Sequence, residues 1–324
     1  VGEDCVSAPA DLGLDPDAQA ARSAFIAAGI PPLESLSPAA ARVLIEQMRA
    51  RVAAKPQRAA RVRDLNGLAT GSTELGLRLY RPDIDTNALP CLLFFHGGGW
   101  VLNNLDTHDV LCHAICTSAN IAVLSVDYRL APENPYPAAL DDAIAALHYA
   151  HAHAAALGID PALIAVGGDS SGGNLAAVLA LMARDGDVPP IRAQALLYPA
   201  LDLSLTQASH RLAAQGLAVT GSTMRWFRDL YLRDAADAND WRVSPLRAAS
   251  LANVAPCLLI TAGVDPLRDE GLAYADRLSG EGNRMVHQHY PGQIHGFLSA
   301  SVAAPMAARA FAGLTSFLCA EIGA

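Results

Sequence analysis

The stretch LIAVGGDSSGGNLAAVLALMAR (163–184) changes character twice within one short run. LIAVGG is a continuous apolar segment of strand length, and SGGNLAAVLALMAR has the composition and spacing of a helix. Between them only small residues surround a pair of serines. Such a strand-to-helix turn is sharp. It lifts one side chain above the sheet in a strained backbone conformation, and bulky neighbours two positions away would collide with adjacent backbone. The spacing G-x-S-x-G fits a single frame: Gly168, Asp169, Ser170, Ser171, Gly172. Starting one residue later puts Asp169 where a glycine is needed. Ser170 is therefore the candidate nucleophile. Ser171 opens the helix, and its backbone N–H, backed by the helix dipole, is placed to stabilise negative charge beside Ser170.

Apolar strands and helices alternate on either side of this turn. Arg61–Leu65 and Leu75–Tyr80 read as a strand pair. Further strands follow at 91–95, 121–127, 163–168, 193–199, 257–263 and 285–290, with helices near 106–119, 138–157, 171–185, 268–280 and 304–320. The first 55 residues read as helical, with Ser37-Pro38 as a helix start. Near-continuous apolar strands separated by helices predict an α/β fold: a mostly parallel sheet covered on both faces. Residues 203–250 hold no strand candidate but carry Trp226, Phe227, Tyr231 and Trp241. An insertion of that kind is expected over the carboxyl ends of the strands, where ligands bind in such folds.

A serine hydroxyl needs a base, and the base needs an orienting acid. For this architecture the chain order is serine, acid, histidine. VDPLRDEG (264–271) follows a strand and puts Asp265 just past its end. PGQIHGF (291–297) follows the next strand and puts His295 at the same rim. Asp269 and Glu270, at the start of the following helix, and Asp202, after the strand ending in Tyr198-Pro199, are alternative acids. FFHGGGW (94–100) supplies three glycines after a strand, which let backbone N–H groups approach a substrate closely. His96 is expected to brace that loop, not to act as the base.

These segments together resemble the hormone-sensitive-lipase-like branch of the α/β-hydrolases, which contains many bacterial carboxylesterases. HGGGW (96–100), DYRLAPENPYPAAL (127–140), GDSSGG (168–173), DPLRDEG (265–271) and IHGF (294–297) stand in the family's order. The resemblance spans roughly residues 75–317. It implies an eight-stranded α/β-hydrolase sheet, a triad of Ser170, Asp265 and His295, and an oxyanion hole of Gly98, Gly99 and the Ser171 N–H. It also implies a cap made of residues 1–55 and 203–240, over a catalytic domain of 56–202 and 241–324. Two departures stand out. Ser171 replaces the alanine usual after the nucleophile, and VLNNLD (101–106), with Asn103 and Asn104, lacks the glycine usual soon after the HGGG tract. Trp100 and Phe297 are expected to narrow the substrate pocket. With about 0.8 kcal/mol per buried methylene, affinity should rise along an acyl series until the pocket fills. By analogy with the family that gives a best substrate of about four to eight acyl carbons. The implied activity is carboxylesterase chemistry through an acyl-enzyme. The alternatives are an amidase or formamidase on the same residues, or a non-catalytic binder of small ligands. Relatives pair through the last strand, here Val286–Tyr290, which implies a homodimer.

Composition narrows the partners. The 324 residues are 52% hydrophobic and 17% charged, with a net charge of −9. That supports a large core and disfavours nucleic acid or an anionic membrane surface as partner. No apolar run reaches the roughly 18 residues of a membrane span. The opening VGEDCVSAPADLG has neither the basic start nor the apolar stretch of a signal peptide, and a valine start leaves room for an earlier segment. Cys5, Cys91, Cys112, Cys116, Cys257 and Cys319 read as reduced core residues of a cytoplasmic protein. No metal or organic cofactor is expected. His108, Cys112 and Cys116 share a helical face, which reads as packing because no distant ligands complete a set. His148, His151 and His153 should be solvated, His287 and His289 should blunt a sheet edge, and Arg129 should pair with Glu133.

Overall fold

The computed structural model describes residues 12–52, 60–70, 73–84 and 88–323. Two helices, α1 (Pro16–Ala27) and α2 (Pro38–Val52), precede the sheet. The strands are β1 (Ala60–Thr70), β2 (Thr73–Pro82), β3 (Leu89–Phe95), β4 (Ala122–Asp127), β5 (Ile159–Asp169), β6 (Ala193–Leu197), β7 (Cys257–Val264) and β8 (Met285–Ile294). They form one eight-stranded sheet in the order β1-β2-β4-β3-β5-β6-β7-β8. β1–β2 and β2–β4 are antiparallel, and the other pairs are parallel. The eight strands stand where the strand pair and the six apolar runs predicted them.

Helices α3 (Asp109–Ala119), α4 (Ala138–Ala152), the short α5 (Ala154–Leu157), α6 (Ser171–Asp185), α7 (Gly221–Tyr231), α8 (Arg268–Gly280), the short α9 (Phe297–Ala300) and α10 (Pro305–Glu321) complete the chain. Along β3 the side chains alternate between two cores. Cys91, Leu93 and Phe95 join α4, α6 and α8 on one face, while Leu92 and Phe94 join α3 and α10 on the other. That two-sided burial explains why the strands are apolar without alternation. Each fully buried leucine or phenylalanine contributes about 1.5–3 kcal/mol of transfer free energy. In α6 every residue from Ser171 to Leu181 is buried, so the helix following the serine turn is a rigid internal element.

Residues 198–256 contain no strand. This stretch packs on the amino-terminal segment, where Arg22 Nε donates to Gln215 O at 2.8 Å and Thr223 Oγ1 to Glu34 Oε2 at 3.0 Å. Arg42 of α2 reaches the body of the fold. Its guanidinium donates to Val101 O (2.8 Å), Ala131 O (2.8 Å) and the Glu133 carboxylate (2.7 Å).

Several sequence expectations need correction. Arg129 does not pair with Glu133; it pairs with the fully buried Asp142 of α4 at 2.8 Å, and Glu133 is taken by Arg42. The four-residue spacing brings two side chains together only on a helix, and residues 128–133 are irregular. Cys91, Cys112, Cys116 and Cys257 are buried and free, but Cys319 is exposed, and Cys5 lies outside the described residues. His108 ends a 3-10 turn and caps α3 at its amino end, and lies 3.1 Å from Asp169; among the described residues no group of three His, Cys, Asp or Glu is placed to hold a metal. His148 and His153 are exposed, but His151 is half-buried against Pro190 O at 3.1 Å. β8 is an edge strand, and His287 and His289 both bond Thr261 Oγ1 at 2.9 Å. No helix among the described residues is long and apolar enough to cross a membrane.

Candidate active site

Four strand ends build the site. β3 leads into the HGGGW loop, β5 into Ser170, β7 into Asp265 and β8 into His295, and these strands lie on one side of the sheet in the order β3-β5-β6-β7-β8. Ser170 has φ 54° and ψ −117°, a left-handed geometry that a non-glycine residue adopts only when its surroundings enforce it. They do so here: Ser170 N donates to Leu197 O at 2.9 Å, and Ser170 O accepts from Ala200 N at 3.1 Å. Gly172 is required by close approach, since a Cβ there would overlap the carbonyls of Phe95 and His96.

His295 bridges the other two groups. Its Nε2 is 3.0 Å from Ser170 Oγ, and its Nδ1 is 2.8 Å from Asp265 Oδ2. The other Asp265 oxygen accepts from Leu267 N at 2.8 Å, which fixes the carboxylate plane. All three side chains are at least nine-tenths buried. Burial alone would push the His295 pKa down, but the Asp265 charge and hydrogen bond outweigh it and hold the imidazole above its usual value. The alternative acids are occupied elsewhere. Asp202 pairs with Arg247 at 3.1 Å, Asp269 accepts from Ser209 N at 2.8 Å, and Glu270 meets His210 at 2.6 Å.

The glycine loop lies against the serine turn. Asp169 Oδ1 accepts from Gly97 N at 2.7 Å. Gly98 O accepts from Val101 N (3.1 Å) and Leu102 N (2.9 Å), closing a tight turn. Among the described residues nothing accepts a hydrogen bond from the N–H of Gly98 or Gly99. The Ser171 N–H stands in the first turn of α6, where helical donors lack internal partners. Asn103 has φ 73°, a region where glycine and asparagine are the favoured residues, and its Nδ2 donates to Gly97 O at 3.0 Å. His96 is fully buried, stacks on Tyr128 at 4.3 Å and bonds Gly97 O through Nδ1 at 2.8 Å. Burial, with His108 nearby, pushes its pKa to about 3, so it stays neutral and braces the loop. Ser171 Oγ lies 3.5 Å from the Tyr128 hydroxyl.

Both residues expected to narrow the pocket, Trp100 and Phe297, are buried. Trp100 is fully buried and stacked on Tyr231 of α7 at 4.3 Å, so it anchors the insertion to the glycine loop. Phe297 is buried against Tyr198 and Tyr290 at 5.7 and 5.3 Å. The aromatic that meets the loop is Phe227: a Cβ on Gly99, whose φ is 61°, would overlap its ring. The sequence signals Phe227 only as one of four aromatics in the insertion. Tyr198, edge-on to His295 at 5.1 Å and bonded through its hydroxyl to Ser299 N at 3.0 Å, has no sequence signal beyond ending a strand run. A polar cavity of about 300 Å³ lies beside the loop, lined by Arg42, Glu46, Asn103, Asp127 and Arg129 among others.

A sequence profile described as alpha/beta hydrolase fold matches residues 92–299. The chain belongs to the α/β-hydrolase family, in its hormone-sensitive-lipase-like, carboxylic ester hydrolase branch. The carboxylic ester hydrolase LipN of Mycobacterium tuberculosis is 48% identical over 233 residues, 70% of this chain and 61% of LipN. The ethyl acetate hydrolase of Pseudomonas putida is 37% identical over 295 residues, 89% of this chain and 92% of that protein. Among solved structures, a thermostable esterase from Pseudomonas putida superposes with a TM-score of 0.90 at 36% identity, covering 98% of this chain and 99% of its own. An α/β-hydrolase enzyme from the metagenome of Lake Arreo gives 0.91 at 37% identity, covering 97% and 100%.

Proposed function

We propose that this hydrolase is a serine carboxylesterase working through an acyl-enzyme intermediate. The observation that carries the reading is His295 between Ser170 Oγ and Asp265 Oδ2, at 3.0 and 2.8 Å. Ser170 Oγ attacks the ester carbonyl carbon and its proton passes to His295 Nε2. The carbonyl oxygen, now negative, is received by the N–H groups of Gly98, Gly99 and Ser171. His295 returns the proton to the alcohol oxygen as the C–O bond breaks. Water then gives a proton to His295 as its oxygen attacks the acyl carbon, and His295 passes that proton to Ser170 Oγ as the acyl–Oγ bond breaks, releasing the acid and restoring Ser170. Asp265 holds the imidazole in orientation and stabilises its cation.

Residues 1–55 and 203–240 act as the cap in this reading. The contacts of Arg22 with Gln215 and of Thr223 with Glu34 support a single unit. Phe227 on Gly99 closes the site near the reacting carbon, which favours short to medium acyl groups of about four to eight carbons. The reading extends to a cytoplasmic homodimer paired along β8, supported by the edge position of that strand and the 45% exposure of Val286. Measuring kcat/KM for nitrophenyl esters from acetate to palmitate, beside matched anilides, tests the reaction. We expect ester turnover to dominate and to peak below about ten carbons. A maximum at palmitate with activation at an oil–water interface, or faster anilide turnover, would overturn this reading.

A further inference from the structure

We propose that Glu270 is a positioning residue for the reaction: a buried carboxylate, locked to His210 of the insertion, that ties the Ser170 and Asp265 loops together and adds a fixed negative charge beside them. This rests on the triad reading above and goes beyond it, because Glu270 touches neither substrate nor reacting atom.

The hydrogen bonds define the protonation state. Gln207 N donates to His210 Nδ1 at 3.1 Å, so that nitrogen carries the lone pair and the ring proton sits on Nε2. Nε2 then donates to Glu270 Oε2 at 2.6 Å. The other oxygen, Oε1, accepts from Leu201 N at 2.6 Å and lies 3.4 Å from Asp202 N. Both carboxyl oxygens face donors, so a proton on either would meet another N–H. Burial pushes the Glu270 pKa up and the His210 hydrogen bond opposes that push; with donors on both oxygens the geometry holds Glu270 as the anion, and the pair with neutral His210 carries a net negative charge. Glu270 is 0% exposed and His210 2%. A charge so deeply buried is costly, and it is compensated by three N–H groups, those of Leu201 and Asp202 on one segment and that of His210 on another.

Each of those segments leads to the triad. Leu201 follows Ala200, whose N–H holds Ser170 O at 3.1 Å. His210 follows Ser209, which clamps the Asp265 loop from both sides: Ser209 Oγ donates to Pro266 O at 2.7 Å and accepts from Asp269 N at 3.2 Å, and Ser209 N donates to Asp269 Oδ2 at 2.8 Å. Glu270 itself is in the first turn of α8, five residues after Asp265. The charged groups around His295 are Asp265, Asp169 and Glu270. Around Glu270 they are His210 and Asp202. Asp202 is paired with Arg247, and Asp269, on the same turn, with Arg268 at 2.7 Å. Arg247 and Arg268 are thus each already paired with another carboxylate, and the Glu270 charge adds to the proton affinity of His295.

Glu270→Gln tests this, because glutamine keeps the shape but removes the charge and turns one acceptor into a donor. The readouts are kcat/KM for a nitrophenyl ester and the rate of inactivation by a phosphonate, each against pH. We expect the plateau rate to fall about tenfold and the acid limb to move about 0.5–1 unit lower, since losing an anion lowers the proton affinity of His295. An unmoved limb overturns the proposal. Ser209→Ala, which cuts the tether without changing charge, should lower the plateau and leave the limb in place; a limb shift as large as that of Glu270→Gln would overturn it, because loosening alone would then explain the effect. Long-range proton–nitrogen spectra of the wild-type enzyme give a measurement that needs no variant. They should show His210 with a bare Nδ1 and a protonated Nε2 at neutral pH, and an Nδ1–H would overturn the assignment. Ser170→Ala in the same series separates the two levels. If that variant still labels and turns over, the triad reading fails; if it is dead and the Glu270→Gln limb is unmoved, only this inference fails.

Discussion

Replacing Asn103 should expose how much the glycine loop depends on one left-handed residue. Asn103 has φ 73° and donates from Nδ2 to Gly97 O at 3.0 Å, just behind the turn that presents Gly98 and Gly99. Alanine loses both properties. Left-handed backbone costs it about 1–2 kcal/mol, and the lost hydrogen bond adds about 1 kcal/mol, so Asn103→Ala should destabilise the fold by about 2–3 kcal/mol. Asn103→Gly keeps the backbone freedom and loses only the hydrogen bond and some unfolded-state entropy, about 1–2 kcal/mol. Urea denaturation of the three proteins should therefore rank them Asn103, Gly, Ala. Catalysis should follow, because Gly97 O anchors the loop that aims the proposed oxyanion donors. Losing one such donor outright costs about 10²–10³ in kcat, so a loop that is loosened but intact should lose about tenfold, with KM little changed. Equal stability of the alanine variant and the wild type, or a glycine variant weaker than alanine, would refute the backbone argument. An unchanged kcat in a destabilised alanine variant would show that the anchor does not reach the oxyanion donors.

Ser170→Ala should abolish turnover and phosphonate labelling, whereas Ser171→Ala, which keeps its backbone N–H, should retain most activity; the reverse result would move the nucleophile by one residue. Activity should fall on the acid side through a pKa above the usual histidine value of about 6.5, because His295 must be neutral to accept the Ser170 proton and Asp265 holds its proton affinity up. The linked stability has the opposite sign. The His295–Asp265 pair stabilises the fold below the unfolded histidine pKa and loses that contribution as pH rises through the folded value, so denaturation midpoints measured against pH should fall where activity rises. Chelators should leave turnover unchanged, and loss restored by zinc would revive the His108, Cys112 and Cys116 face. Scattering should give a dimer mass, and a mass near 33.8 kDa would count against pairing through β8.

The proposed triad is readable in the sequence because each member sits in a short local pattern at a strand end. Ser170 is fixed by flanking glycines, His295 by the loop after β8, and the glycine loop by its own composition. A strand end is a local event, so local sequence encodes it. Pairings across the fold are not local. Arg129 faces Asp142, Phe227 lies on Gly99, and Arg42 reaches Val101 from 59 positions away; nothing in the neighbourhood of either partner announces the other. The acid shows where this boundary falls. Asp202, Asp265, Asp269 and Glu270 all satisfy the chain order, and spacing alone leaves them open. What separates them is the set of donors that each carboxylate meets after folding. Arg247 takes Asp202, Arg268 and Ser209 take Asp269, and His210 with Leu201 fills both oxygens of Glu270. Asp265 spends one oxygen on Leu267 N and keeps the other for His295. The acid is therefore chosen by what its competitors already hold, and those competitors, engaged elsewhere, are also the groups that keep the rim in place.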